Sequence, residues 1–291
     1  MLFPKFIPCA LLMGLVLCGH HTTYAGAQDG SVGPPPNILV IHREFVKPGM
    51  AGALHDTSES AFISAIRKHH STARYIGVVS QSGLSRVLFL GGYPTLAAWE
   101  EENNAMGSDA ALSADLEKAT VADGALLTSY EQSVWRYRPD LSVKPGVNQG
   151  DRYMEIYQFN VRPGHRQEWE QMAAMIADGY KKGDPAGHWD IFQSVFGSAG
   201  NSYLVIIPLK NLGELDEAHA NGGKFEGAMG PDGLKKLDQL SAEAVESMSI
   251  NLFQFSPKMS YPPDRFIKAD PEFWKTSAAG EEESHAGGST R

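Results

Sequence analysis

RYMEIYQFNVRPGHRQEW, residues 152–169, decides the fold. Residues 152–161 alternate in the manner of a strand, Pro163-Gly164 make a turn, and a helix starts after His165. An earlier stretch, ILVIHREFVKPGMAGAL at residues 38–54, has the same plan. Val46-Lys47-Pro48-Gly49 matches Val161-Arg162-Pro163-Gly164 at an offset of 115 residues.

Working outward, the correspondence continues. Leu88-Phe89-Leu90 falls on Leu204-Val205-Ile206, and Leu96 and Trp99 fall on Leu212 and Leu215. Trp135, Tyr137 and Pro139 fall on Phe253, Phe255 and Pro257. In the first copy, strands are expected over 37–46, 74–82, 86–90 and 131–138. Helices are expected over 50–70, from Pro94 to Glu102, and over 109–129. In the second copy, strands are expected over 152–161, 189–196, 203–207 and 249–255. Helices are expected over 165–181, 212–220 and 234–247. Helix 165–181 carries one apolar stripe: Trp169, Met172, Ala173, Ile176 and Tyr180. Each copy therefore reads β-α-β-β-α-β with an extra helix, the ferredoxin-like split plan. The fold class is α+β: two such halves packed sheet to sheet as one pseudo-dimeric barrel.

The expected organisation is a signal peptide over 1–27, a proline-rich lead-in over 28–36, half 1 over 37–139 and a linker over 140–151. Half 2 covers 152–260 and a tail, largely disordered, covers 261–291, with 270–274 (DPEFW) as a docking segment. Lys5, the apolar run 6–17 and Ala25-Gly26-Ala27 have the form of a secretory signal cleaved near Ala27. Cys18 raises a lipoprotein alternative, but Leu17 is bulky where a small residue is wanted. Both cysteines, Cys9 and Cys18, lie in this leader. The mature chain would have no disulfide and no thiolate chemistry, and it would be periplasmic or secreted. The net charge is −9, and removing the leader's one lysine makes it −10. A chain this acidic, with no basic run, argues against nucleic acid and anionic membrane as partners.

A ferredoxin-like half leaves one sheet face bare. Stretches such as 189–196 (WDIFQSVF) and 203–207 (YLVII) are apolar on both faces, which calls for cover on both sides. Two halves can cover each other, and the space between them is a natural ligand cavity.

Strand, Lys/Arg-Pro-Gly, then an amphipathic helix resembles the dimeric α/β-barrel superfamily. Glu155, Tyr157 and Arg162-Pro163-Gly164 look most like its NIPSNAP-type branch. The resemblance covers residues 37 to about 258 in two copies. Antibiotic-biosynthesis monooxygenases, haem-degrading monooxygenases and chlorite dismutase-like proteins share that fold. That family usually builds the barrel from two chains; the duplication here would close it within one, with a homodimer formed through its helices as a further expectation.

Alternation divides the first strand of each half into two sets. Leu39, Ile41, Arg43 and Phe45 match Met154, Ile156, Gln158 and Asn160. Ile38, Val40, His42 and Glu44 match Tyr153, Glu155, Tyr157 and Phe159. The second set mixes apolar residues with His, Glu and Tyr, and is expected to face the barrel interior. His42 and Tyr157 would then be the catalytic candidates, handling protons. Glu44, Glu155, Arg74, Trp135, Arg136 and Trp189 would be ligand-binding. The resemblance offers a pocket His and Trp, which His188-Trp189 would supply in a haem-linked member, but no motif assigns them. No cofactor is predicted and haem is not expected. His55-Asp56 and His165 read as surface residues, and His69-His70 as a helix end. No H-E-x-x-H or other ligand spacing appears, so no metal site is expected. There is no P-loop, dinucleotide fingerprint or G-x-S-x-G.

Three functions compete. The first is an exported protein binding a small, partly apolar molecule between the sheets. The second is a cofactor-independent monooxygenase-like oxidoreductase acting on a small aromatic or polyketide-like substrate. The third is a structural or interaction module with a filled barrel.

Overall fold

The computed structural model describes residues 32–183 and 187–275. The expected leader lies outside the described residues. Half 1 runs β1 (Ile38–Val46), α1 (Ala53–Lys68), β2 (Ile76–Ser80), β3 (Arg86–Tyr93), α2 (Leu96–Ser108), α3 (Ala110–Gly124) and β4 (Leu127–Tyr137). Half 2 runs β5 (Tyr153–Val161), α4 (Arg166–Gly183), β6 (Asp190–Phe196), β7 (Ser202–Leu209), α5 (Gly213–Ala244) and β8 (Val245–Phe255). A 3-10 turn, Pro257–Met259, and two short helices, α6 (Asp264–Ala269) and α7 (Pro271–Trp274), follow.

The eight strands form one closed antiparallel barrel in the order β1-β3-β2-β8-β5-β7-β6-β4. Each half contributes four adjacent strands in the ferredoxin-like order. Two seams join them: Val78 opposite Phe255 in β2–β8, and Trp135 opposite Ser194 in β4–β6. Closure removes the free edges that two separate sheets would carry. The chain is thus a pseudo-dimeric α/β barrel, as its repeat predicts.

The repeated Pro-Gly turn has a backbone reason. Gly49 and Gly164 sit at φ 82° and 89°, the left-handed region that a side chain disfavours. Each turn follows a matching irregularity, at Phe45/Val46 and Asn160/Val161. The expected stripe of α4 is buried as read, and β7 is buried at all eight positions, so both of its faces are covered.

Several boundaries differ from expectation. β4 and β8 each begin four residues earlier, at Leu127 and Val245. Their first four residues, LTSY and VESM, are exposed or half-buried, and no apolar alternation marks them. The two helices expected over 212–247 are one helical run broken at Gly230 (φ 65°, ψ 170°), just before Pro231. The stretch read as a tail opens with ordered structure: Phe266, Ile267 and Trp274 are buried. Trp274 meets Phe255, Phe266 and Phe273 edge-on.

The expected facing is reversed. Leu39 and Ile41 of β1 and Met154 and Ile156 of β5 join Val78, Leu88, Trp135, Leu204 and Phe253 inside the barrel. Tyr157 and Phe159 instead face α4 and α5, packed with Trp169, Tyr203 and Leu240. Alternation separates the two sets but does not say which lies inside. Both are largely apolar, because the helices bury one as thoroughly as the opposite sheet buries the other.

Candidate functional site

One end of the barrel holds a cavity of about 620 Å³. Its wall is the interior set: Leu39, Ile76, Leu90, Met154, Phe192, Ile206 and Phe255. The lead-in residues Gly33–Pro36, the α2 residues Glu101 and Glu102, and Pro263, Arg265 and Phe266 of the C-terminal segment form its rim. The segments just before β1 and after β8 therefore shape the mouth of a chamber built by the strands. The other end holds a smaller cavity of about 220 Å³ with Arg43, Arg86, Glu131, Gln158 and Asn251 around it. Ile41, Val78, Leu88, Trp135 and Leu204 fill the barrel between them.

Polar groups in the larger cavity are few and placed. Asp190 starts β6 opposite Ile206 and faces inward. Its carboxylate accepts the Gly146 N–H at 2.9 Å. Burial pushes its pKa up to about 7, with that hydrogen bond pulling the other way. Arg74 lies at the wall with its guanidinium 4.2 Å from the centroid of the Tyr261 ring, and it donates to the Ser71 and Ala73 carbonyls. The Tyr93 hydroxyl donates to Glu102 at 2.5 Å. An apolar chamber with a carboxyl that titrates near neutrality can hold a hydrophobic molecule and exchange a proton with it.

The residues singled out in the sequence scatter. Arg74 reaches the larger cavity. Trp135 is inside the barrel, fully buried, with its indole N–H donating to Ser133 at 2.8 Å; it fills space below the chamber. Arg136 is exposed. Trp189 packs against Tyr180 under the helices and donates to the Leu141 carbonyl at 3.1 Å. His188 bonds the Pro208 carbonyl. His42 is paired with the Tyr130 hydroxyl outside the barrel, and burial lowers its pKa. Tyr157 is 1% exposed beneath the helices of half 2, and burial raises its pKa. Glu155 lies on the same side; burial pushes its carboxyl up to about 7, and its Oε2 has no hydrogen-bond partner. Neither His42 nor Tyr157 can act in the cavity.

Glu44 belongs to a different constellation, which the sequence reading missed. Between β1, α1 and α3 of half 1, His55 Nε2 lies 3.0 Å from Glu44 Oε2, 3.4 Å from Asp123 Oδ1 and 3.7 Å from Glu59 Oε1. All four residues are buried, and His55, read as a surface residue, is 1% exposed. Burial works against a charge on His55, but Asp123 and Glu44 outweigh it and hold its pKa up at about 10. Burial also raises Glu44 and Glu59. The signal was available: His55, Glu59, Ile63 and Ile66 share one helical stripe that is otherwise core.

Asp190, Met154 and Phe192 were also missed as cavity residues. Asp190 lies at the very start of its strand, and Met154 and Phe192 read as ordinary core.

No family model matches this sequence, and no curated protein does. Solved structures of similar shape are found. A "putative monooxygenase" from Fusobacterium nucleatum is 10% identical with a TM-score of 0.48, covering 75% of this chain and 91% of that one. An anthrone oxidase-like protein is 12% identical with a TM-score of 0.47, covering 78% and 93%. A haem-binding protein from Thermus thermophilus is 13% identical with a TM-score of 0.44, covering 78% and 96%. The likeness is one of fold.

That last neighbour corrects one expectation. A protein of this shape does bind haem, so the expectation of no cofactor, with haem set aside, does not stand. The described residues lining the cavity include no histidine. Met154 and Tyr93 are the side chains there with a haem-ligand atom, and Tyr93 is committed to Glu102. They do not fit an imidazole-ligated haem. By its topology, the chain is a closed eight-stranded α/β barrel built of two ferredoxin-like halves within a single polypeptide.

Proposed function

We propose that this protein is exported and binds a small, partly apolar molecule in the larger barrel cavity. The observation that carries the reading is the chamber itself, about 620 Å³ with apolar walls, and Arg74 and Asp190 as its placed polar groups. A barrel packed solid from end to end would favour a purely structural module, and this one is filled only in its middle, with a cavity at each end. The apolar run 6–17 with Ala25-Gly26-Ala27 supports export.

A second reading has its own support. Asp190 faces an apolar-walled chamber, and burial pushes its carboxyl up to about 7. As a carboxylate it can take a proton from an activated O–H or C–H of a phenol or enol. The electron-rich anion left behind can reduce molecular oxygen. This is the monooxygenase-like alternative, with Asp190 in place of His42 or Tyr157.

Native mass spectrometry of protein purified from its own periplasm or medium tests both export and binding. We expect a mature chain beginning near Gln28 with a co-purifying ligand. The Leu90→Trp variant, which fills the chamber, should lose that ligand and at least tenfold affinity for it while folding normally. Undiminished binding in that variant overturns the reading. Hemin and a panel of phenols and quinols are the added probes, the panel followed by oxygen uptake. Under the second reading Asp190→Asn abolishes uptake, and native activity rises with pH through about 7.

A further inference from the structure

We propose that Glu44, His55, Glu59 and Asp123 form a buried site for one divalent first-row transition ion of the Zn²⁺ or Mn²⁺ class. The four donor atoms, one from each residue, lie within 4.8 Å of one another. Bonds of about 2.0–2.2 Å place tetrahedral donors roughly 3.2–3.6 Å apart, so a small contraction about a central ion suffices.

The independent observation is what the cluster leaves unsatisfied. His55 Nε2 has one hydrogen to give, and three carboxylates surround it. Glu44 receives it at 3.0 Å. Glu59 Oε1 and Asp123 Oδ1 are buried without any hydrogen-bond partner, in side chains only 4% and 3% exposed. Both atoms point at His55 Nε2, the centre of the group. The ring N–H is hydrogen-bonded to Glu44 alone, whereas a cation can bind all three carboxylates together with the ring nitrogen. Orphaned buried carboxylate oxygens are costly. The Tyr75 hydroxyl, just before β2 and also buried without a partner, feels the charges of Glu59 and Glu44.

The repeat supplies an internal control. At the place of Glu44, two residues before the strand irregularity, β5 has Phe159. Phe159 packs edge-on against Trp169 of α4, 5.7 Å between centroids. The same sheet–helix layer is therefore built from aromatic packing in half 2, and the architecture has no need of four ionisable groups there. The donor set of three carboxylates and one imidazole selects transition ions over Mg²⁺ and Ca²⁺, which take oxygen ligands and several waters. All four residues are buried, so the ion's role is to tie β1, α1 and α3 together.

The test uses the mature full chain after EDTA treatment, with Zn²⁺, Mn²⁺, Mg²⁺ and Ca²⁺ added singly. Native mass spectrometry should show one Zn²⁺ or Mn²⁺ per chain, and the melting temperature should rise by roughly 5–10 °C at saturating ion. Glu59→Gln and Asp123→Asn should fold but lose that rise. His165→Ala should keep it, because the other grouping of ligand atoms, His165, Glu168 and Glu243, is partly exposed. Absence of a one-to-one complex in the native chain overturns the proposal, even if a variant fails to fold. So does an equal response to Mg²⁺ or Ca²⁺, or binding that survives both Glu59→Gln and Asp123→Asn.

Discussion

Glu155 shows how one residue sets a measurable property of this chain. It sits on the helix side of β5 among aromatic side chains, with Oε2 unpaired. Burial raises its pKa from the ordinary 4.5 to about 7, so the folded state holds the proton more tightly than the unfolded chain. The sign follows from linkage. The stabilisation is complete below about pH 4.5 and is lost as pH rises through about 7. The loss is bounded by about 3 kcal/mol. Glu155→Gln should flatten this part of the profile by the equivalent of one proton. Urea denaturation of both proteins at pH 5 and pH 8 measures it, and parallel profiles would sink the assignment. Asp190, raised to about 7, contributes in the same direction and remains in the variant. None of this was legible in the sequence, where Glu155 is simply a polar position in an alternating strand.

At the scale of elements, α6 and α7 were the least expected. Their sequences are short and proline-flanked, too short to carry a helical stripe. Tertiary contacts hold them: Arg152 bonds Asp270 at 2.7 Å and lies over the Phe273 ring, and Trp274 closes against Phe255 and Phe266. Since Phe255 and Phe266 also line the cavity, this segment is part of its rim. Trp274→Ala should loosen the rim without unfolding the barrel. Hydrogen exchange over 257–275 should quicken at least tenfold while strands β1 and β5 stay protected. A uniform loss of protection across the barrel strands would show instead that the segment is integral to the core. The opposite case is α4, whose stripe predicted its buried face directly, because one apolar face at helical spacing has one way to be covered.

For the molecule as a whole, the barrel is a joint product of its halves. Leu39, Ile41, Leu88 and Trp135 of half 1 bury themselves against Met154, Ile156, Leu204 and Phe253 of half 2. A half by itself would expose a continuous apolar sheet face and two unpaired edges. Residues 32–139 expressed alone should therefore aggregate or self-associate, and should be rescued by co-expression with residues 140–275. A soluble, monomeric, cooperatively folding first half would refute this. The chain of residues 32–275 should melt in one transition.

The sequence by itself determined the duplication, the strand and helix order of each half, and that the two halves must cover one another. Those features follow from local patterns: the repeated Pro-Gly turn, period-2 strands, the α4 stripe and the two-faced apolar strands. Only the tertiary structure decided which face lies inside. When both faces of a sheet are buried, alternation has no polar side to orient it, so His42 and Tyr157 fell outside and Asp190 within. The meeting of Glu44, His55, Glu59 and Asp123 was likewise decided in space. Residues 44 and 123 reach one point only because β1 and α3 pack on the same helix, a contact set by the chain's path rather than by any spacing along it.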